Sequence, residues 1–141
     1  MELEIGQIGS LVIIYVVSLV IHELGHILAA LLTHTKIISI HLGYGKTLIK
    51  IKNLNIHFLL FGAHVECEID FLDSWSKIKS VIIAMGGAIA NIVVLIVIFG
   101  ISGLNELGFL VVNIAMVVVS TLPFEGTDMY SLLIAFDFID E

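Results

Sequence analysis

The sequence predicts a mainly α-helical, polytopic membrane protein with a small β-sheet inserted between its first two spans. Hydrophobic residues make up 59% of the 141 residues and charged residues only 13%, and the mean hydropathy is +1.13. Three apolar stretches are each long enough to cross a bilayer, for which about 20 residues suffice. The polar segment between the first two alternates apolar and polar residues, as half-buried strands do. The length predicts one domain, residues 1–141, without a separate soluble module.

The three apolar stretches are predicted to be the spanning helices. The first covers residues 5–32 and has no basic segment before it, so we expect a span rather than a signal peptide. The second covers residues 80–101 and consists almost entirely of Ile, Val, Ala and Gly. The third covers residues 107–136 but is broken at Pro123. A broken backbone at membrane depth needs cover from protein or from a wet cavity, so this break should lie inside the fold.

The segment between the first two spans is predicted to form a hairpin or small sheet over residues 36–70. All six basic residues of the chain are lysines between Lys36 and Lys79, and arginine is absent. The positive-inside rule therefore places this segment in the cytoplasm and the N-terminus outside. Lysines confined to one loop indicate topology rather than a nucleic-acid surface, so we expect a lipid bilayer and no nucleic acid as partner.

Polar side chains from all three spans are predicted to lie at a similar depth. At ~1.5 Å of rise per residue, His26 and Asp128 lie about 9 to 12 Å into the membrane from the cytoplasmic side. Asn91 on the second span lies at roughly 15 Å by the same reasoning. A site built from these groups would therefore lie toward the cytoplasmic side of the membrane.

The first span contains the motif His22-Glu23-Leu24-Gly25-His26. Histidines four residues apart lie on one helical face and can bind one Zn²⁺, with the intervening glutamate directed toward a water molecule. Zinc then needs at least a third protein ligand and an open position. An ionisable side chain inside a membrane span is costly, so this motif predicts a functional site with one zinc ion per chain and Glu23 as the catalytic base. The single cysteine, Cys67, excludes an intramolecular disulfide and a Cys-only zinc site.

The sequence resembles the site-2 protease family of intramembrane zinc metalloproteases over nearly its whole length. Besides residues 22–26, the resemblance rests on Leu42-Gly-Tyr-Gly-Lys-Thr-Leu48, Phe61-Gly-Ala-His-Val-Glu66, Gly86-Gly-Ala-Ile-Ala-Asn91 and Leu122-Pro-Phe-Glu-Gly-Thr-Asp128. The order and spacing of these motifs make the resemblance specific. It implies hydrolysis of peptide bonds in or near transmembrane segments of a membrane protein or membrane-associated peptide.

The resemblance also implies roles for residues outside the zinc motif. Asp128 would be the third metal ligand, with Glu125 as the competing carboxylate and an N-cap role for Asp128 as the structural alternative. Asn91 would help to hold substrate, or would instead form a hydrogen bond between helices. Residues Gly62, Ala63 and His64 would belong to a strand edge that binds an extended substrate by strand addition.

Several alternatives remain open at this point. One alternative for segment 59–68 is a solvated hairpin, with His41, His57 and His64 as ordinary hairpin histidines or with His64 as a gating group. The family usually has Asn, Gly and Pro where this chain has Ser120, Met129 and Ala88. A catalytically inactive relative that acts as a metal-binding, substrate-binding or assembly subunit is therefore an alternative, as is a metal transporter or sensor. A regulatory membrane partner or a second copy could pair with the small-residue faces of the second span.

Overall fold

The computed structural model describes residues 5–69, 74–102, 107–123, 125 and 127–136. A long helix, α1 (Ile5–Leu32), is followed by two strands, β1 (Lys36–Ile51) and β2 (Leu54–Glu68). The chain continues with a second long helix, α2 (Ser74–Ser102), and two shorter ones, α3 (Leu107–Thr121) and α4 (Asp128–Ala135). The predicted mainly helical class with a small antiparallel sheet between the first two long helices is therefore confirmed.

Two of the described helices are long and apolar enough to cross a membrane, at Ile8–Leu32 and Trp75–Ile101. Only 33% and 22% of the residues in their most apolar windows are buried within the protein. Core helices of soluble proteins are mostly buried, so this degree of exposure supports contact with lipid. Large apolar side chains point outward along both helices, among them Leu28, Leu31, Ile96 and Val97.

The second long helix begins at Ser74, six residues before the predicted span of residues 80–101. Its first turns contain Lys77 and Lys79, which are good helix formers although they are not apolar. Hydropathy marks where a helix becomes apolar and not where it begins, which explains the difference. The Lys77 ammonium lies 5.6 Å from the centre of the Phe136 ring and so connects the start of α2 to the end of α4.

The third apolar stretch forms two helices, with non-helical backbone at Pro123 between them. Helix α3 has 15 residues and is therefore about 22 Å long, which is shorter than the ~30 Å hydrocarbon core. The helix ends shortly before Pro123, as predicted, because proline has no N–H and disfavours helical backbone at the residue before it. Thr127 then donates a hydrogen bond to the carbonyl of Leu122 and caps α4 through Tyr130 N–H. The described helices thus do not by themselves confirm a third span.

Helices α1 and α2 cross in backbone contact. A β-carbon on Gly25 would lie 2.3 Å from the carbonyl oxygen of Gly86, and one on Gly86 would lie 2.6 Å from the carbonyl oxygen of Gly25. Small residues at such a crossing let two membrane helices approach closely. Helix α3 packs beside them, where the fully buried Asn113 donates a hydrogen bond to the Ser18 hydroxyl of α1 at 2.8 Å.

The two strands are long and irregular, and they pair antiparallel. Several shifts in register allow β1 to meet two sections of β2, so that Ile40 is paired with both Val65 and Leu54. The sheet is attached to α1 by Gly62, whose N–H donates a hydrogen bond to the Tyr15 hydroxyl at 3.1 Å. This contact holds the last part of β2 against the helix that contains the zinc motif.

Candidate metal centre

His22 and His26 project from the same face of α1 into the protein interior. Both are buried, with 6% and 5% of their surface exposed, and their ring centres are 4.8 Å apart. The spacing of four residues produces this arrangement, because an α-helix completes a turn every 3.6 residues. The two Nε2 atoms thus face the same point beside the helix.

Asp128, at the first position of α4, contacts both histidines through its carboxylate. Its Oδ2 lies 3.1 Å from His22 Nε2, and its Oδ1 lies 3.3 Å from His26 Nε2. The helix cap at this point is Thr127, so Asp128 does not have the N-cap role that was the structural alternative. Glu125, the competing carboxylate, is exposed. The geometry therefore favours Asp128 over Glu125 as the carboxylate of this centre.

Glu23 is directed into the same region and is 97% buried, with 3% of its surface exposed. One ligand atom each of His22, Glu23 and His26 lies within 4.8 Å of the other two. The Oε2 atom of Glu23 has no hydrogen-bond partner among the described residues. A buried carboxylate oxygen without a partner is costly, which indicates that the site accommodates a further group.

His26 is oriented by a hydrogen bond on the side away from the centre. Its Nδ1 lies 2.7 Å from the carbonyl oxygen of Ile83 on α2, which can only accept. In the neutral ring the proton is therefore on Nδ1, and Nε2 has the lone pair that a metal ion needs. Metal-binding histidines are commonly fixed by such a contact to a backbone carbonyl.

Asn91 contacts His22 in the corresponding way. Its side-chain amide lies 3.3 Å from His22 Nδ1, and its surface is fully buried. When Asn91 Nδ2 faces the His22 ring, Asn91 Oδ1 has no hydrogen-bond partner among the described residues. If the amide group is rotated by 180°, Asn91 Oδ1 accepts a hydrogen bond from His22 Nδ1–H. His22 Nε2 is then free to bind a metal. The structure thus places Asn91 beside His22, in the interhelical contact that was the alternative to a role in substrate binding.

Gly87 of α2 is a further residue of the centre, and sequence reasoning gave it no role there. A β-carbon at this position would lie 2.5 Å from the Nε2 atoms of both His22 and His26. Only glycine leaves this space open between the two rings. Its spacing of four residues from Asn91 places both on one face of α2, which is the signal that could have identified it.

Two cavities lie on either side of the centre. The larger, of about 300 Å³, is lined by Tyr15, His22, Glu23, Ala63, Ser120 and Asp128 with several apolar side chains of α3. The smaller, of about 180 Å³, is lined by His26, His64, Cys67 and Asp128 and by residues of α2 and α4. Strand β2 therefore passes along both cavities, with Ala63 at one and His64 at the other.

A protein-family model matches residues 10–137, nearly the whole chain, and its description is peptidase family M50. This chain belongs to peptidase family M50, the site-2 protease family. Comparison with curated proteins and with solved structures gave no significant match. Members of the M50 family are membrane-embedded zinc metalloproteases, and the two long apolar helices are consistent with that environment.

The residues of this M50 family member fit a zinc ion. Two imidazole nitrogens and a carboxylate are a donor set of catalytic zinc sites. Ligand atoms about 2.0 to 2.2 Å from a tetrahedral zinc lie about 3.3 to 3.6 Å from one another, close to the separations between Asp128 and the two histidines. The Nε2 of His26 is buried and has no hydrogen-bond partner of good geometry within the described residues, although Asp128 is near. Because Gly87 has no side chain, there is room for the ion beside the two histidine rings.

The other predicted hairpin histidines lie on the sheet, outside the spanning helices. His41 is on β1, and His57 and His64 are on β2. Partial burial and the neighbouring His41 ring lower the pKa of His64 below its ordinary value. A hydrogen bond from the Ser39 hydroxyl lowers the pKa of Glu66. His64 is therefore neutral and Glu66 is ionised near pH 7.

Proposed function

We propose that this M50 family member is an intramembrane zinc endopeptidase that hydrolyses peptide bonds in or near transmembrane segments of other proteins. The observation that carries the proposal is the convergence of His22 and His26 of α1 with Asp128 of α4, with both histidines within 3.3 Å of the carboxylate. Glu23 lies buried beside them. Family membership, which indicates a metalloprotease, supports the same reaction.

The proposed roles follow from the positions of these side chains. His22, His26 and Asp128 hold one zinc ion per chain, and Glu23 does not ligate it. Zinc bound there supplies a Lewis acid that polarises the scissile carbonyl and makes a water molecule acidic enough to react near neutral pH. Glu23 accepts the proton of that water and passes it to the leaving amine. Asn91 and the Ile83 carbonyl act as positioning groups that keep the two histidine rings aligned.

Substrate is proposed to bind along β2. A helical substrate hides its peptide bonds in internal hydrogen bonds and must be extended before hydrolysis. The section of β2 that contains Gly62, Ala63 and His64 runs along both cavities and pairs with β1 on one side. Strand addition on the other side would carry an extended peptide past the metal centre. Gly62 would serve mainly as the anchor of this strand, since its N–H is already bonded to Tyr15.

The membrane arrangement is proposed to be a three-span core. Helices α3 and α4 together would form the third crossing, with the non-helical segment between them covered by the metal centre. The lysine-rich sheet would lie in the cytoplasm, so that the N-terminus is outside and the active site is near the cytoplasmic side. Substrates would then be membrane proteins or membrane-associated peptides, and a regulatory membrane partner or a second copy could contact the exposed helix faces.

The first test is the zinc content of detergent-purified protein. We expect one zinc per chain at the metal centre, lost in His22→Ala and Asp128→Ala and retained in the matched control Glu125→Ala. In liposomes, Glu23→Gln should retain zinc but cleave a transmembrane peptide about 100-fold or more slowly than wild type. Retention of zinc in Asp128→Ala together with loss in Glu125→Ala would contradict the assigned ligand set.

A second candidate function is that of a zinc-containing subunit without protease activity. Ser120 lines the larger cavity where related proteins usually carry an asparagine, and its hydroxyl donates to the Val117 carbonyl of its own helix at 3.1 Å. The cavity therefore lacks an amide at this position. Two results together would favour this second function. The wild type would bind zinc but cleave no transmembrane peptide in a diverse set, and Ser120→Asn would restore cleavage.

A further inference from the structure

A second cluster of metal-binding side chains lies on the sheet, apart from the centre described above. His41 on β1 and His64 on β2 are cross-strand partners, and their rings are stacked with centres 4.6 Å apart. Glu66 follows two residues later on β2, and its Oε1 lies 3.7 Å from His64 Nε2. One ligand atom from each of His41, His64 and Glu66 lies within 4.8 Å of the other two.

A chain of hydrogen bonds determines which nitrogen of His41 faces this cluster. His57 Nδ1 donates to the Gly45 carbonyl at 2.9 Å, so that His57 Nε2 is an acceptor. His57 Nε2 lies 3.0 Å from His41 Nδ1, which must therefore carry the proton. The Nε2 of a neutral His41 ring thus keeps its lone pair. Histidine ligands of metals are typically oriented in this way through their other nitrogen.

The Nε2 atom of His41 is only weakly engaged by its neighbours. The Ser39 hydroxyl oxygen lies 2.9 Å from it, but this hydroxyl donates its one proton to the Glu66 carboxylate and so cannot also donate to His41. The Asn55 side-chain amide lies 3.5 Å away, at the long limit of a hydrogen bond. The lone pair of His41 Nε2 is therefore accessible to a metal ion beside Glu66.

We propose that His41, His64 and Glu66 form a second metal site, for a divalent transition-metal ion such as Zn²⁺. Two imidazoles and one carboxylate suit zinc, and they leave a position for water or for a side chain of a partner. The residues are partly exposed, with 46% of the His64 side chain and 50% of the Glu66 side chain accessible, so the ion can exchange with solvent. Binding requires the two stacked rings to turn so that a nitrogen of each faces the ion.

An ion at this position would link β1 to β2 beside the candidate active site. His64 also lines the smaller cavity, together with His26 and Asp128. Metal binding would hold His64 on the sheet and stiffen the part of β2 that is proposed to align substrate. This regulatory consequence rests on the proposed protease function, whereas the binding of the ion does not.

The test is equilibrium dialysis of tag-free, full-length protein in detergent against micromolar Zn²⁺, followed by measurement of zinc per chain. Wild type should bind two zinc ions. His64→Ala and Glu66→Gln should each bind one, and Asp128→Ala should also bind one because it keeps the sheet site. The control His34→Asn removes an exposed histidine with a positive φ of 54°, which asparagine tolerates, and should still bind two.

The outcomes separate this proposal from the proposed function. One zinc in wild type that is lost in Asp128→Ala and kept in His64→Ala would overturn the sheet site. One zinc that is lost in His64→Ala and kept in Asp128→Ala would overturn the intramembrane centre alone. No zinc in wild type would overturn both. Retention of the Asp128-dependent zinc in His64→Ala shows that this variant is folded.

Discussion

Gly87 on α2 lies against His22 on α1 so closely that a β-carbon would come within 2.5 Å of the His22 Nε2. The same β-carbon would be equally close to His26 Nε2. The absence of a side chain on one helix thus creates the space into which the two histidines of the other helix project. The proposed zinc site depends on this contact as much as on its ligands.

We therefore expect Gly87→Ala to weaken zinc binding by at least about tenfold, comparable to the loss of a group that supports a ligand. The added methyl group would displace the histidine rings or fill the metal position. Alanine is favoured over glycine in a helix by about 0.8 to 1.0 kcal/mol, so loss of zinc would not come from poorer helix formation. Competition with a zinc chelator measures the affinity.

The matched control for this substitution is Gly100→Ala on the same helix, where a β-carbon would have no neighbour within 4 Å. It should leave zinc affinity unchanged. Equal zinc affinity in Gly87→Ala and wild type would show that the space beneath the histidines is not required.

Asn91→Leu should weaken zinc binding by about 10- to 100-fold, because the amide would no longer orient the His22 ring. Leucine has a similar volume and removes only the polar contact. Asn113→Leu is a suitable control, since Asn113 is also fully buried but bonds to Ser18 away from the metal. It should lower stability by about 0.6 to 1.7 kcal/mol without changing zinc affinity. If both variants lost zinc to a similar extent, the weaker binding would come from general unfolding and not from the missing contact to His22.

Gly25→Ala should destabilise the protein by about 1 to 3 kcal/mol, because the added methyl group would push α1 and α2 apart at their crossing. The nearest atom is the backbone carbonyl oxygen of Gly86, which cannot turn away as a flexible side chain could. Unfolding in a graded series of detergents would report the change. Gly9→Ala, on the same helix with nothing within 4 Å, should have no such effect. A stable Gly25→Ala would mean that the helices do not cross in backbone contact.

Tyr15→Phe should release β2 from α1 while leaving the zinc ligands in place. Loss of the hydrogen bond from Gly62 N–H is expected to cost about 0.5 to 1.5 kcal/mol locally. Amide hydrogen exchange at residues 62–66 should become faster, and cleavage of a transmembrane peptide should become slower at unchanged zinc content. Unchanged exchange in this segment would show that the sheet is positioned by other contacts.

Local chemistry explains why much of the fold was predictable from the sequence. The apolar length of α1 predicted its bounds, residues 5–32, because burial in lipid requires an uninterrupted apolar helix. The end of α3 just before Pro123 follows from the missing N–H of that residue. Helix α2 begins at Ser74, six residues before the predicted span, because its first turns are polar yet helical, and the third span is not confirmed because α3 is too short by itself.

The sequence by itself determined that His22 and His26 share one face of a membrane helix with Glu23 between them, since helical spacing is a local property. Only the tertiary structure decided what meets that face. Asp128 reaches His22 across 106 residues of sequence, Ile83 contributes a backbone carbonyl to His26, and Asn91 contacts the His22 ring. Such contacts depend on how each helix is rotated and how closely the helices pack. No single segment contains that information, because the close packing arises where Gly25 of α1 meets Gly86 of α2.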